Sequence, residues 1–307
     1  MNPTPVARPA LNDIYAPIES DLAQFSELLK KELRSEDALI SEIHGHLLKM
    51  TGKFLRPALT VLCSRVNGSG SPCEPAVRLA VAIELIHTAT LVHDDIIDDS
   101  ELRRNQPSVY YKWGREISIV SGDYLYAKAF VMLASLKDVW VNQAFAACAH
   151  VICEGEMKQI EKRKNFLIDE REYLKIIHQK TAALFQAACM GGAYFSGADP
   201  ATIEKLGDYG YRLGMAFQIV DDCLDLTGET ESLGKTAGLD VYKNDVTLPL
   251  LYLFRDLPEA ERASLLAGAG GNGNGHSNGN GAGSPLARIR DLAKRHRSVE
   301  KAMEKAR

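Results

Sequence analysis

Residues 76–104 read AVRLAVAIELIHTATLVHDDIIDDSELRR. Up to Asp95 this stretch is apolar almost all round, which suits a helix buried on every side rather than one with a wet face. Its end is the anomaly, because His93-Asp94-Asp95-Ile96-Ile97-Asp98-Asp99 places carboxylates at the tip of a greasy helix, with Arg103 and Arg104 just beyond. At 3.6 residues per turn, Asp94 and Asp98 project from one face, and His87 and Thr90 lie on nearly the same stripe. A second apolar segment repeats the pattern: in Gln218-Ile219-Val220-Asp221-Asp222-Cys223-Leu224-Asp225 the residues Gln218, Asp221, Asp222 and Asp225 fall on one side. Exposed like charges four apart cost only a few tenths of a kcal/mol, so one such tip could be a solvated helix end. Two of them, each ending an apolar helix, call for cations, since unpaired carboxylates are costly to desolvate.

The candidate ligands are all oxygen donors, with no His/Cys set at zinc spacing beside them, and this favours Mg²⁺. Mg²⁺ uses one or two carboxylates and completes its shell with water and substrate phosphate, so a phosphorylated substrate is implied. Basic residues supply the complement: Gly52-Lys53-Phe54-Leu55-Arg56-Pro57, Arg103-Arg104, Lys180-Thr181 and Lys235. Each is weak alone, since single Lys and Arg side chains usually face solvent. Together they fit a site holding two diphosphates, with Arg forking onto phosphate oxygens and Lys acting as a point charge.

The rest of the chain reads as helix. Ile18, Leu22, Phe25, Leu29 and Leu33 recur at three- and four-residue spacing, with residues 13–17 as the lead-in. Further helical patterns cover about 58–66, 116–136, 141–162, 170–191, 201–226 and one basic stretch over 286–307, and no sustained period-2 alternation suggests a sheet. Residues 267–285, AGAGGNGNGHSNGNGAGSP, form a low-complexity tract expected to be a flexible surface loop between helices. The expectation is one all-α domain over 1–307. With 46% hydrophobic and 25% charged residues and a net charge of −4, the chain has no general attraction for nucleic acid or anionic membrane. The six scattered cysteines form no C-x-x-C pair and suit free thiols in a reducing cytoplasm. Neither a signal peptide nor a transit pattern is evident at the start, and no apolar run reaches the ~18 residues of a membrane span.

GKFLRP (52–57), HTATLVHDDIIDDSELRR (87–104), GDYLYAKAF (122–130), GE-x-x-Q (155–159), KTAALF (180–185), FQIVDDCLD (217–225) and TLPL (247–250) occur in order. Over about residues 14–253 the chain closely resembles the trans-isoprenyl diphosphate synthase, or polyprenyl synthetase, family. The resemblance implies the isoprenoid synthase fold, a bundle of mostly antiparallel helices around a deep central cavity, commonly a homodimer. It implies that Lys53, Arg56, His87 and Arg104 bind isopentenyl diphosphate, and that Arg103, Lys180, Thr181, Gln218 and Lys235 bind an allylic diphosphate. Asp94, Asp98, Asp221 and Asp225 would hold Mg²⁺, three ions with substrate bound, and Asp95 and Asp222 would stand behind them. The implied reaction is condensation of isopentenyl diphosphate onto the allylic partner, with Asp94, Asp98, Lys180 and Asp221 at its centre.

In this family a bulky residue four or five positions before the first aspartate acts as a cavity floor. Here those positions hold Thr90 and Ala89, so the growing tail is expected to run at least one more helical turn, ~5.4 Å, toward a long-chain product. Phe130, Met132 or a partner subunit could close the cavity lower down. The alternatives are a shorter-chain farnesyl or geranylgeranyl diphosphate synthase and a non-catalytic subunit of a heteromeric synthase, though the latter is expected to have lost an aspartate cluster. A terpene cyclase would mix Asn, Ser or Thr with Glu in its second metal site, and a purely structural bundle would not explain the ordered basic motifs. Two departures stand out. Asp245 occupies a position often Lys or Asn in the family, with Lys243 two places earlier and left outside the expected site. Family members also usually carry a further helical segment, so the end at Arg307 implies either a shortened chain or an unusual C-terminal closure.

Overall fold

The computed structural model describes residues 10–50, 52–68, 73–228, 237–269 and 284–307. Its first elements are α1 (Leu11–Tyr15), a 3-10 turn (Ala16–Ile18), α2 (Glu19–Glu32), α3 (Ala38–Lys49), α4 (Leu55–Cys63) and α5 (Glu74–Ile97). A two-residue hairpin, β1 (Leu102–Arg103) with β2 (Gln106–Pro107), leads to α6 (Val109–Ser135), kinked at Gly114, and then to α7 (Val139–Lys162). There follow α8 (Glu170–Ile177), a π turn (His178–Ala182), α9 (Ala183–Phe195) and α10 (Pro200–Thr227). The remaining helices are α11 (Leu239–Lys243), α12 (Leu248–Asp256), α13 (Glu259–Ala269), α14 (Pro285–Arg295) and α15 (Ser298–Lys305). The all-α expectation holds, and the residues expected as lead-in to α2 themselves form α1 and the 3-10 turn.

Local chemistry explains the boundaries. Asp37, Ser108, Asp138, Asp169, Asp199 and Ser284 each precede a helix and accept a backbone N–H of its first turn, satisfying a donor that the helix itself cannot. α5 is the spine: Leu79 to Ile83, Leu85, Ile86 and Ala89 are essentially inaccessible, as its all-round apolarity requires. By length and composition α5 and α6 could each cross a membrane, a departure from the sequence expectation; 67% of the relevant α5 window is buried and 33% of that in α6. The difference on α6 is an outward apolar face that includes Val120, Tyr124 and Val131.

Two further expectations change. Residues 267–269 belong to the last turn of α13 and Pro285 opens α14, while the centre of the Gly/Asn tract lies outside the described residues. The C-terminal stretch is two helices, because Arg297 adopts a left-handed conformation (φ 53°) between them. The break lets Val299, Ala302 and Met303 pack with Leu248 and Leu251 of α12 and Ile219 of α10.

α4 and α9 approach closely at Gly192, where a Cβ would collide with the Thr60 carbonyl oxygen and lie 2.9 Å from Cys63 Cβ. Both obstacles belong to backbone or its first carbon, so neither can swing aside. Gly192→Ala should therefore destabilise the fold by about 2 kcal/mol through overpacking, read as a lowered Tm. An unchanged Tm would mean that α4 and α9 slide apart freely.

Candidate active site

The tips of α5 and α10 open into one cavity of about 760 Å³, lined by Asp94 and Asp98 from the first and by Gln218, Asp221 and Asp222 from the second. The same cavity is lined by Arg56, His87, Thr90, Arg103, Arg104, Lys180 and Thr181. Most of the residues singled out on the sequence are thus brought together from α4, α5, the hairpin, the π turn and α10. One flank is apolar, with Ile97, Ile119, Tyr126, Ile152 and Ile160 among its walls.

Each cationic group is aimed by a specific local device. The hairpin turns through Arg104 and Asn105, both left-handed (φ 53° and 60°), as a two-residue turn of that hand requires. It separates the two arginines: Arg103 Nε and Nη2 donate to Asp95 Oδ1 at 3.0 and 2.5 Å, whereas Arg104 Nη1 donates to the Met50 carbonyl. Lys180 and Thr181 sit on the π turn, whose wider winding interrupts the helical register and is a common feature of functional segments. Lys180 Nζ lies 2.5 Å from Glu156 Oε2, and Thr181 Oγ1 donates to Gln218 Oε1 at 2.6 Å. Gln218 Nε2 in turn donates to Asp222 Oδ1 at 2.7 Å, and Tyr173 donates its hydroxyl to the other oxygen of Asp222 at 2.7 Å.

Burial sets the protonation states. It works against the Lys180 ammonium, but Asp94 and Glu156 outweigh it and hold the pKa above its ordinary value. Burial, reinforced by Arg56, Arg104 and Arg103, holds the His87 imidazole well below its usual range, so at neutral pH it offers a hydrogen bond rather than a charge. The Arg56 guanidinium is lowered to about 10 by burial, against the pull of Glu84, and it stacks over the Phe185 ring at 4.2 Å. Its Nε is buried with no hydrogen-bond partner among the described residues, a donor left over for an incoming anion. Burial likewise raises Glu84 to about 7 despite Arg56 and Arg104. Asp95 is raised to about 6 although it is ion-paired, and its partner Arg103 is raised as well; desolvation of the carboxyl outweighs the pairing on one side only.

Some expected residues lie elsewhere. Lys53 is exposed and not among the cavity walls, its carbonyl accepting the Tyr15 hydroxyl at 2.7 Å. Asp225 is buried away from the cavity, with Oδ2 accepting the Asp240 amide at 3.2 Å, and Asp240 lines the cavity in its place. Ala89 is wholly buried and does not line the cavity, whereas Thr90 does, its hydroxyl donating to the His87 carbonyl at 2.7 Å. Phe130 and Met132 are core residues rather than cavity walls, and Lys235 lies outside the described residues. The sequence reading missed Glu156, although its motif was visible, and left out Lys243, which lines the cavity beside Asp245. The charged residues of α11 and the segment after it gave no periodic signal that could have placed them.

Residues 37–276 match the family model described as polyprenyl synthetase. The heptaprenyl diphosphate synthase component 2 of Geobacillus stearothermophilus is 39% identical over 257 residues, 84% of this chain and 79% of that one. The octaprenyl diphosphate synthase of Escherichia coli is 36% identical over 242 residues, covering 79% of this chain and 73% of its own. The crystal structure of a polyprenyl synthase from Caulobacter crescentus, complexed with calcium and isoprenyl diphosphate, superposes with a TM-score of 0.89 at 35% identity, over 98% of this chain and 89% of that one. With its paired aspartate tips over one cavity, its helical fold and these matches, the chain belongs to the polyprenyl synthetase family of prenyltransferases.

Proposed function

We propose that this single-domain chain is an all-trans polyprenyl diphosphate synthase that adds isopentenyl diphosphate units successively to an allylic diphosphate, with Mg²⁺, to give a long-chain product. The observation that carries this reading is the shared cavity, where Asp94, Asp98 and Asp221 face Arg56, Arg103, Arg104 and Lys180 above an apolar flank.

The donor set fits a hard cation. The aspartate oxygens are carboxylate donors, and among the described residues no three His, Cys, Asp or Glu side chains stand close enough to hold an ion by themselves. Mg²⁺ suits such a site because substrate phosphate and water complete its shell. When bound it would neutralise the diphosphate as that group departs. The calcium and isoprenyl diphosphate of the Caulobacter structure support the same pairing of divalent ion and diphosphate ester here.

The chain's own residues would divide the remaining work. Arg56, Arg104 and neutral His87 would clamp the diphosphate of isopentenyl diphosphate, and Lys53 is assigned with them on the sequence pattern. Arg103, Lys180, Thr181 and Gln218 would hold the allylic diphosphate, with Lys235 assigned on the same ground. Asp94, Asp98 and Asp221 would hold metal, while Asp222 and Asp225 brace them from behind. As the allylic C–O bond breaks, the bonding pair leaves with diphosphate, and the clamped double bond of isopentenyl diphosphate attacks the resulting cation. A proton is then lost to the released diphosphate. Ile97, Tyr126 and Ile152 would exclude water from the cation.

Two assembly and location statements complete the proposal. The outward face of α6 suits a homodimer, and the free thiols of all six cysteines suit the cytoplasm.

Four outcomes test this. Purified protein given labelled isopentenyl diphosphate, Mg²⁺ and geranyl, farnesyl or geranylgeranyl diphosphate should yield a long-chain product. Asp94→Ala and Asp221→Ala should each lower its rate about a hundredfold or more without changing helix content; near-normal rates would remove that residue from the metal site. Thr90→Phe should shorten the products while preserving turnover, because the ring would enter the cavity from α5; an unchanged product ladder would place the floor elsewhere. In sedimentation the wild type should run at twice 33.7 kDa, and Val131→Glu at the single mass, whereas a wild-type monomer would discard the homodimer.

A further inference from the structure

Asp98 is the C-cap of α5, and both of its carboxylate oxygens are already taken. Oδ1 lies 3.2 Å from Arg163 Nη2, and Oδ2 lies 3.0 Å from Lys243 Nζ. The two cations differ in how they are held. Arg163 caps the end of α7 and is tied a second time, its Nε donating to Asp245 Oδ1 at 2.7 Å. The Asp245 side chain is only 4% exposed, so that tie is shielded from water and ions. Lys243 ends α11 on a flexible four-carbon stem, and among the described residues its salt bridge is to Asp98 alone. Lys243, Asp98 and Asp245 all line the cavity. Asp98 is therefore flanked by one anchored cation and one that can leave.

A divalent ion reaching Asp98 competes with these cations for its two oxygens. Arg163 cannot leave without stripping buried Asp245 of its partner, which is costly. Lys243 can, because its three ammonium donors swing on a rotatable stem within the same cavity. Resting on the proposed diphosphate chemistry, we infer that Lys243 is an exchangeable diphosphate ligand: in the metal-free protein it neutralises Asp98, and when metal takes that carboxylate it turns to the phosphate oxygens, while Arg163 remains as the positioning residue. The ammonium moves from one anion to another, and the divalent ion takes its place at Asp98 with one extra positive charge, which the arriving diphosphate offsets. The position of Lys243 two residues ahead of Asp245 then becomes functional rather than an irregularity.

The inference makes one variant do two opposite things. Lys243→Met removes a competitor for the carboxylate, so Mn²⁺ alone, followed by electron paramagnetic resonance without substrate, should bind about fivefold more tightly than to wild type. With Mg²⁺ saturating, inorganic pyrophosphate titrated calorimetrically should bind about tenfold more weakly, because one charge-assisted contact is gone. Arg163→Met should instead weaken both and lower Tm, since it also strands Asp245. A Lys243→Met protein with unchanged Mn²⁺ and pyrophosphate affinities, or with both lowered together, overturns the exchange. A wild type that holds neither Mn²⁺ nor Mg²⁺-pyrophosphate overturns the synthase reading itself, which the Lys243 comparison would not.

Discussion

Everything in this molecule is arranged around the expense of keeping charge at the mouth of an apolar shaft. A lone carboxylate or ammonium there would either neutralise itself or drag water inward. The protein meets this by pairing: Lys180 with Glu156, Arg103 with Asp95, Arg163 with Asp98 and Asp245. Such pairs add little net stability, since desolvation absorbs most of the attraction. What they supply is a set of ionised groups held ready at fixed positions, next to apolar walls.

That arrangement explains why α5 looks as it does. A helix inaccessible over most of its length cannot shift to relieve crowding at its tip, so Asp94 and Asp98 are presented on a rigid post. α10 provides the facing post, braced where Tyr173 and Gln218 both donate to Asp222. Lys180 and Lys243 reach inward from short or irregular segments.

The aspartate tips, the buried spine and the helical class were legible because each follows from spacing along a regular helix. Facing azimuth was less so. Ala89 and Thr90 are neighbours a hundred degrees apart on the wheel, and only packing decides which one meets the cavity. Asp225 has the spacing of its companions, yet a first-turn amide of α11 captured it and Asp240 faces the cavity. The break at Arg297 and the hairpin at Arg104 depend on left-handed residues that are neither Gly nor Asn in the first position, so composition gave no warning. The π turn was invisible for the same reason, since KTAALF reads as ordinary helix.

The π turn also explains two glycines that touch no substrate. A Cβ on Gly155 of α7 would lie 2.6 Å from the Lys180 amide nitrogen, and one on Gly214 of α10 would lie 2.6 Å from Ala182 Cα. Backbone is thus pressed against backbone on both sides of the bulge, like jaws on a bent wire. The position of Lys180 is calibrated by two residues with nothing to reach with. A single methyl on either jaw would move the ammonium without altering any group that carries charge.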